Sequence, residues 1–322
     1  MRGFYNENNK ILCLLKIMQD YTDSDSMLSA SEILKLLKSL YDIELDRRTL
    51  WSLFESLTNA GFEIKTIGEN IKTKYYLVDR VLEEGEIKLI IDAIYSFKFL
   101  SEKDTTDLVK KVAMFLPKNK RNNLALSNIS KPFYKTGNRE VIYNIEIISE
   151  AIQKKKQISF IYMKYDENKK LVARKDTLYQ VSPHRLIFTN EHYYLIVCDK
   201  EEIFFYRIDK MKNIDILEID SAPINEKTMS YIIKSVSAFA GNPENIVIYG
   251  NEVAFQHAID YFGDEIKIKK LVDNPKWEYE LVIKASVRGF KWWALDYLDK
   301  CEVISPQSLR EEIIKIIKDS AY

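Results

Sequence analysis

The spacing of apolar residues changes part-way along the chain, and that change limits the folds open to it. Through most of the segment before Pro117, apolar positions recur at i, i+3, i+4 and i+7, as in Ile11, Leu14, Leu15 and Met18, the period of an amphipathic helix. From Ile142 the character becomes β-rich. Ile158 to Tyr162, Asp176 to Val181, His184 to Phe188, Tyr193 to Cys198 and Ile203 to Ile208 are short strand candidates. A helical region followed by a strand-rich one points to separate cores, and 322 residues exceed the roughly 250 to 300 that one core holds. The expected fold class is a multidomain α+β protein.

Three short helices are expected first. One runs from about Asn8 to Asp20, and one from a Ser29/Glu32 capping box to about Tyr41. The third runs from an Asp46 cap to Gly61, with Leu50, Leu53, Phe54 and Leu57 as its buried stripe. Two strands follow, Phe62 to Ile67 and Tyr75 to Val78, around a loop carrying Lys72 and Lys74. This is the pattern of a winged helix-turn-helix, in which the start of the third helix enters the major groove and the wing meets the adjacent backbone. Arg47, Arg48, Thr49 and Ser52 are then the helix contacts to DNA, and Lys65, Lys72 and Lys74 the wing contacts. The same three-helix unit also serves protein contacts, and Arg47 and Arg48 are then solvated charges in a first turn whose dipole does not favour them. Residues 1–78 form this domain; with ten basic and eleven acidic side chains it has no long-range pull on phosphates. Helices from Glu86 to Leu100 and from Lys103 to Leu116, stopped by Pro117, make residues 79–140 a helical linker or dimerisation region that ends in a linker-like stretch, Ser130 to Asn138.

Three blocks carry a resemblance. Val181-Ser182-Pro183-His184-Arg185-Leu186-Ile187-Phe188, Asn190-Glu191-His192-Tyr193-Tyr194-Leu195 and Phe205-Tyr206-Arg207-Ile208-Asp209-Lys210-Met211 resemble, in order and spacing, the successive motifs of the WYL domain. The family's Trp-Tyr-Leu is Tyr193-Tyr194-Leu195 here. Asp46-Arg47-Arg48-Thr49-Leu50-Trp51 is similar to the recognition-helix region of WYL-type transcriptional regulators. Phe290-Lys291-Trp292-Trp293 and Val303 to Arg310 look like the extension that follows the barrel in those proteins. Ser52-Leu53 stands where members commonly carry Arg-Asp, which removes one cationic DNA contact.

The resemblance implies a small Sm-like β-barrel over residues 141–224 that senses a nucleic-acid or nucleotide-like ligand. It also implies a C-terminal extension over 225–322 that takes part in dimer contacts. Strands mixed with helices in that extension suggest an α+β, ferredoxin-like fold, with Ser305 and Pro306 opening its last helix. In the barrel, Arg185 and Arg207 can each present a planar fork to phosphate, Ser182 and His184 can add hydrogen bonds, and Tyr193 or Tyr194 can stack on a base. Plainer roles stay open: Tyr193 and Tyr194 alternate along a strand, so one of them belongs to the core, and Asp209 can pair with Arg207. Lys154 to Lys175, with eight basic and two acidic residues, can funnel an anion or simply be solvated.

Catalysis finds no support, since HExxH, Walker A, GxGxxG and GxSxG patterns are missing, and neither cofactor nor metal is expected. Cys13, Cys198 and Cys301 lie far apart and are expected to be reduced. No apolar run approaches the ~18 residues that span a bilayer, and Met1 to Asn9 is polar, so no membrane partner and a cytoplasmic location are expected. The leading expectation is a homodimeric, ligand-responsive regulator, a repressor, on palindromic double-stranded operator DNA. The alternative is a nucleic-acid-binding accessory module that modulates an effector enzyme through its WYL domain. The 48 basic and 48 acidic residues exclude a uniformly basic coat and leave placed patches as the route to nucleic acid.

Overall fold

The computed structural model describes residues 9–69, 72–78, 80–121, 135–189, 191–199, 202–224, 243–263 and 265–320. Residues 1–8 of the polar start and 130–134 of the linker-like stretch lie outside them. The chain divides into two compact units, Met1–Phe97 with Ser101–Lys135, and Lys98–Leu100 with Thr136–Tyr322.

In the first unit, α1 (Lys10–Tyr21), α2 (Ala30–Tyr41) and α3 (Arg47–Asn59) bury Leu14, Ile17, Ile33, Leu37, Leu50 and Leu57 in one core. Local chemistry sets the helix starts. Ser29 Oγ accepts from the Glu32 N–H at 3.3 Å while the Glu32 carboxylate accepts from the Ser29 N–H at 2.7 Å, and Asp46 Oδ1 accepts from the Thr49 N–H at 2.7 Å. Each such cap stabilises its helix by about 1 kcal/mol. Strands β1 (Leu28–Ser29), β2 (Ile64–Ile67) and β3 (Lys74–Leu77) form an antiparallel sheet with β3 central, Leu28 opposite Tyr75 and Ile64 opposite Leu77. Two-residue β1 is too short to carry a period, which is why the sequence does not reveal it. The β2–β3 turn requires Gly68: its φ is +95°, and a Cβ there would sit 2.8 Å from the Lys72 carbonyl oxygen.

Helices α4 (Glu84–Ser96) and α5 (Glu102–Ala113) pack against each other, with Ile87, Ile91 and Ile94 buried on one and Val109 and Ala113 on the other. Asp20, only 6% exposed, accepts from Arg121 at 2.5 Å, and Lys120 reaches Asp25 at 3.1 Å and Glu84 at 2.8 Å. The turn after α5 is thereby tied to the end of α1 and the start of α4. A carboxylate this buried needs such a partner.

The second unit opens with α6 (Val141–Lys154), where a β-rich character was expected from Ile142. The buried residues Val141, Asn144, Ile148 and Ala151 fall at i, i+3, i+7 and i+10, a helical face. Strand β4 (Lys156–Tyr165) pairs antiparallel with β5 (Leu171–Ala173), β6 (Tyr179–Val181) and β10 (Met211–Asp220). A second sheet orders β7 (Pro183–Thr189), β8 (His192–Asp199) and β9 (Glu202–Arg207). A 3-10 turn, Ile208–Lys210, joins β9 to β10.

The rest of the unit runs β11 (Pro243–Gly250), α7 (Glu252–Phe262), β12 (Lys267–Lys270), β13 (Tyr279–Ser286), α8 (Val287–Asp296), β14 (Cys301–Ser305) and α9 (Gln307–Asp319), with sheet order β12-β13-β11-β14. Ile248, Leu281, Ile283, Phe290 and Trp293 centre its core. Trp292 is 52% exposed and its neighbour Trp293 6%, as adjacent residues on a helix point apart. Pro306 is the cap before α9, one residue outside the helix it was expected to begin.

Glu302 on β14 accepts from Arg310 at 2.5 Å and from the Trp277 indole N–H at 3.1 Å, which hold its carboxyl below the usual range. A carboxyl whose folded pKa is depressed contributes stability above its unfolded pKa and loses it as pH falls through the folded value. The difference in melting temperature between the parent and Glu302→Gln should therefore be present at neutral pH and close as pH drops below about 4. A thermal melt series across pH checks this; a gap that persists undiminished in acid would contradict it.

Among the described residues no helix is long and apolar enough to cross a membrane. Cys13 and Cys301 are buried free thiols and Cys198 is a half-buried one; burial pushes the Cys301 thiol up to about 12.

Candidate nucleic-acid and ligand sites

Asp46 caps α3 and leaves its first turn carrying two arginines outward. Arg47, Arg48 and Ser52 are exposed. Thr49 is half-buried, and its backbone N–H donates to Asp46 Oδ1 at 2.7 Å, which fixes it in the cap. Arg48, Ser52 and Glu55, at i, i+4 and i+7, line one helical face with Trp51 beside them. This face borders a groove of about 550 Å3 whose other wall is Ile64, Thr66 and Tyr75 of the sheet. Lys65, Lys72 and Lys74 are exposed on the hairpin; Lys65 lies 3.4 Å from Glu63. Sequence reading missed Trp51, which is 58% exposed and meets Tyr75 edge-on at 6.4 Å between ring centres. Its signal was a large aromatic set off the Leu50/Phe54/Leu57 stripe.

In the second unit the expected ligand residues do not all come together. The pairing rows Arg185–Ile196–Phe205 and Ile187–Tyr194–Arg207 across β7, β8 and β9 put Arg185, Tyr194 and Arg207 on one sheet face, and Tyr193 on the other. Tyr193 packs against Phe99 and Phe188, 5.5 and 6.1 Å between ring centres, as a half-buried structural ring. Ser182 is 6% exposed, and its Oγ accepts from the Ala222 N–H at 2.9 Å and from Gln157 Nε2 at 3.3 Å. Ser182 precedes β7, and a register shift between Pro183 and Arg185 interrupts the β7–β8 pairing beside His184. His184 is half-buried, burial holds its pKa below the usual value, and its Nε2 has no hydrogen-bond partner among the described residues. Arg185 is exposed.

Arg207 is committed. Its Nε and a terminal nitrogen donate to the two oxygens of Asp209 at 3.0 and 2.7 Å, and Asp209 is 1% exposed. Burial opposes the guanidinium's charge, and Asp209 more than restores it. The Arg207 N–H donates to the Tyr162 hydroxyl at 3.2 Å, while Asn138 holds the carbonyls of Asp209 and Met211 at 3.1 and 2.9 Å. Asn144 adds a second bond to the Met211 carbonyl at 2.9 Å. His192 lies in the same neighbourhood, its pKa lowered by burial and then by Arg207. Among the described residues the other three donors of the Arg207 fork have no acceptor.

A cluster of rings lies on β4, β6 and β9. Phe160 stacks on Tyr179 at 5.4 Å and 12°, and Tyr162 meets Tyr206 edge-on at 5.2 Å. Lys175 sits 5.0 Å over the Tyr179 ring and Lys210 5.4 Å over that of Tyr165. Tyrosine rings beside cations offer stacking surfaces of the kind that single-stranded nucleic acids use. Sequence reading did not single out Tyr162, Tyr179 or Tyr206, whose positions on three strands have no common spacing.

Residues 143–216 match the WYL domain family and residues 261–321 the WCX domain family. The first match bears out the resemblance over the strand-rich segment, and the second falls on the extension. No curated protein matches the chain. Among solved structures it is similar to Proteasome accessory factor B/C (PafBC) of Arthrobacter aurescens, with 13% identity, a TM-score of 0.27 and 97% of this chain aligned. The chain spans 46% of that protein's length. It is also similar to a CRISPR Cas-related protein, with 13% identity, a TM-score of 0.39 and coverage of 99% of this chain and 81% of the other.

Proposed function

We propose that the chain is a ligand-responsive, DNA-binding transcriptional regulator, a repressor that binds a palindromic operator as a homodimer. Its α1-β1-α2-α3-β2-β3 segment is read as a winged helix-turn-helix, and its WYL segment as a sensor of a nucleic-acid or nucleotide-like ligand. The observation that carries the reading is the first turn of α3, with exposed Arg47 and Arg48 beside a hairpin presenting Lys65, Lys72 and Lys74. The WYL and WCX matches support it. In this reading α3 enters the major groove, the arginines meet guanine edges or phosphates, and Glu55 accepts from a cytosine amino group. Arg185, Tyr194 and the free donors of Arg207 receive the ligand's phosphate and base, with Tyr162 and Tyr179 as stacking rings. The ligand acts by binding one arrangement of the two heads better than the other.

Selection of duplexes from a randomised pool, followed by anisotropy titration over a salt series, tests this. One palindromic site should be preferred over bulk duplex by about 10³-fold or more, with affinity falling steeply as salt rises. Equal binding of unrelated sequences, with single strands preferred, would favour the accessory-module reading and sink this one.

A further inference from the structure

Within the first unit the end of α1, the turn from α3 into β2, the segment after β3 and the end of α5 enclose an open cleft of about 690 Å3. Its lining divides by chemistry. Phe62, Val81, Met114 and Phe115 give it apolar walls, and the last three are 84%, 61% and 48% exposed respectively. Exposed apolar side chains gathered around one concavity are uncommon unless something covers them. Lys16, Arg80 and Lys111 bring three cations to the same walls.

Among the described residues none of these cations has a carboxylate closer than the 3.9 Å from Lys16 to Asp20, and Asp23 and Glu83 act on Arg80 only at longer range. Arg80 donates to main-chain carbonyls, Gln19 O at 3.2 Å and Thr22 O, instead of to a carboxylate, and its burial lowers its pKa. Lys111 is exposed, with no ion pair among the described residues, and Lys16 reaches only Asp20, at 3.9 Å. Asp20 is the one carboxylate on the lining, and it is already held by Arg121 at 2.5 Å. The cleft is therefore apolar in body with three cations against one carboxylate on its lining, and its volume lies within the roughly 300 to 1,000 Å3 of small-molecule sites.

We propose that this cleft is a binding site for a small amphipathic anion: an aromatic or short acyl body carrying one carboxylate, sulfonate or phosphate group. The body lies on Phe62, Met114 and Phe115, and the anionic group is held by Arg80 with Lys16 and Lys111. The site is separate from the WYL segment and needs no part of the ligand assignment made there. Its walls come from the three-helix segment on one side and from α5 on the other, so an occupant contacts both and favours the arrangement in which they grip it.

Fluorescence titration of the full chain with anilinonaphthalene sulfonate, an aromatic sulfonate that brightens on leaving water, provides the test. A saturable enhancement is expected. Its dissociation constant should rise about tenfold or more in Lys16→Glu/Lys111→Glu, which removes attraction for the anion, and likewise in Met114→Asp/Phe115→Asp, which spoils the apolar wall. Unchanged far-ultraviolet circular dichroism and melting temperature show that each variant is folded; the first alters only exposed charges. Affinity unchanged in the lysine variant, or no saturable enhancement with the parent chain, would overturn the proposal.

Discussion

The variant Arg47→Ala/Arg48→Ala/Lys74→Ala is expected to lose about 100-fold or more in affinity for its duplex site while keeping its fold. Each arginine is an exposed donor in the first turn of α3, and Lys74 is exposed on the adjacent β3. Removing a base-edge contact costs about 1 to 3 kcal/mol, and each lost phosphate contact flattens the salt dependence by about one unit of slope. Three contacts at roughly 1 kcal/mol each exceed 100-fold for a single head, before the partner head is counted. Stability should move the other way or not at all. Cations at a helix N-terminus oppose the macrodipole by about 0.3 to 1 kcal/mol each, and substitutions on exposed surface otherwise stay within about 0.5 kcal/mol. Anisotropy titrations at several salt concentrations, paired with thermal melts, read both effects. Full affinity with an unchanged salt slope would remove α3 from the DNA interface.

Asp209→Ala is expected to destabilise the second unit by about 3 to 5 kcal/mol, because it strands the Arg207 guanidinium without its partner in a largely desolvated site. The paired substitution Arg207→Met/Asp209→Leu should recover most of that loss, since two apolar side chains leave no uncompensated charge. Denaturant unfolding of parent, single and double variants measures the coupling. A loss below about 1 kcal/mol in Asp209→Ala would show that the pair has no structural weight. The geometry also changes how ligand response should be probed: Arg207→Ala leaves the buried Asp209 unpaired and mixes stability with recognition. Arg185 is exposed, so Arg185→Ala probes ligand recognition with little effect on the fold.

The elements legible in the sequence were those whose start, period and stop lie within a dozen residues. Ser29 with Glu32 marked α2, and Asp46 with Leu50, Phe54 and Leu57 marked α3. The β-rich character expected from Ile142 begins instead with a helix, Val141–Lys154, because an apolar-rich run suits either state and only the burial of Val141, Asn144, Ile148 and Ala151 selects between them. The candidate ligand site was legible in residue type and less so in arrangement. Arg185, Tyr194 and Arg207 share a face, yet Ser182 is bonded to Ala222 and Gln157, and Tyr193 belongs to a cluster with Phe99 and Phe188. Tyr162 and Asn138, which hold the Arg207 and Asp209 backbone, lie 45 and 71 positions away along the chain.

By itself the sequence determined where α2 and α3 begin, which of their faces are apolar, that Arg47 and Arg48 stand in the first turn of α3, and that the WYL motifs occur in order. The helix starts, their faces and the place of the arginines follow from hydrogen bonds and side-chain periods spanning three to seven residues, which any chain with these residues must express, whereas the motif order rests on the resemblance alone. The tertiary structure alone decided that the Arg207 N–H meets the Tyr162 hydroxyl, that Asn138 and Asn144 hold the Met211 carbonyl, and that Lys16, Arg80 and Lys111 meet over Phe62 and Phe115. Each depends on which distant segments pack together, and the desolvation and Coulomb energies that settle a side chain's partner act across space, with no trace in local spacing.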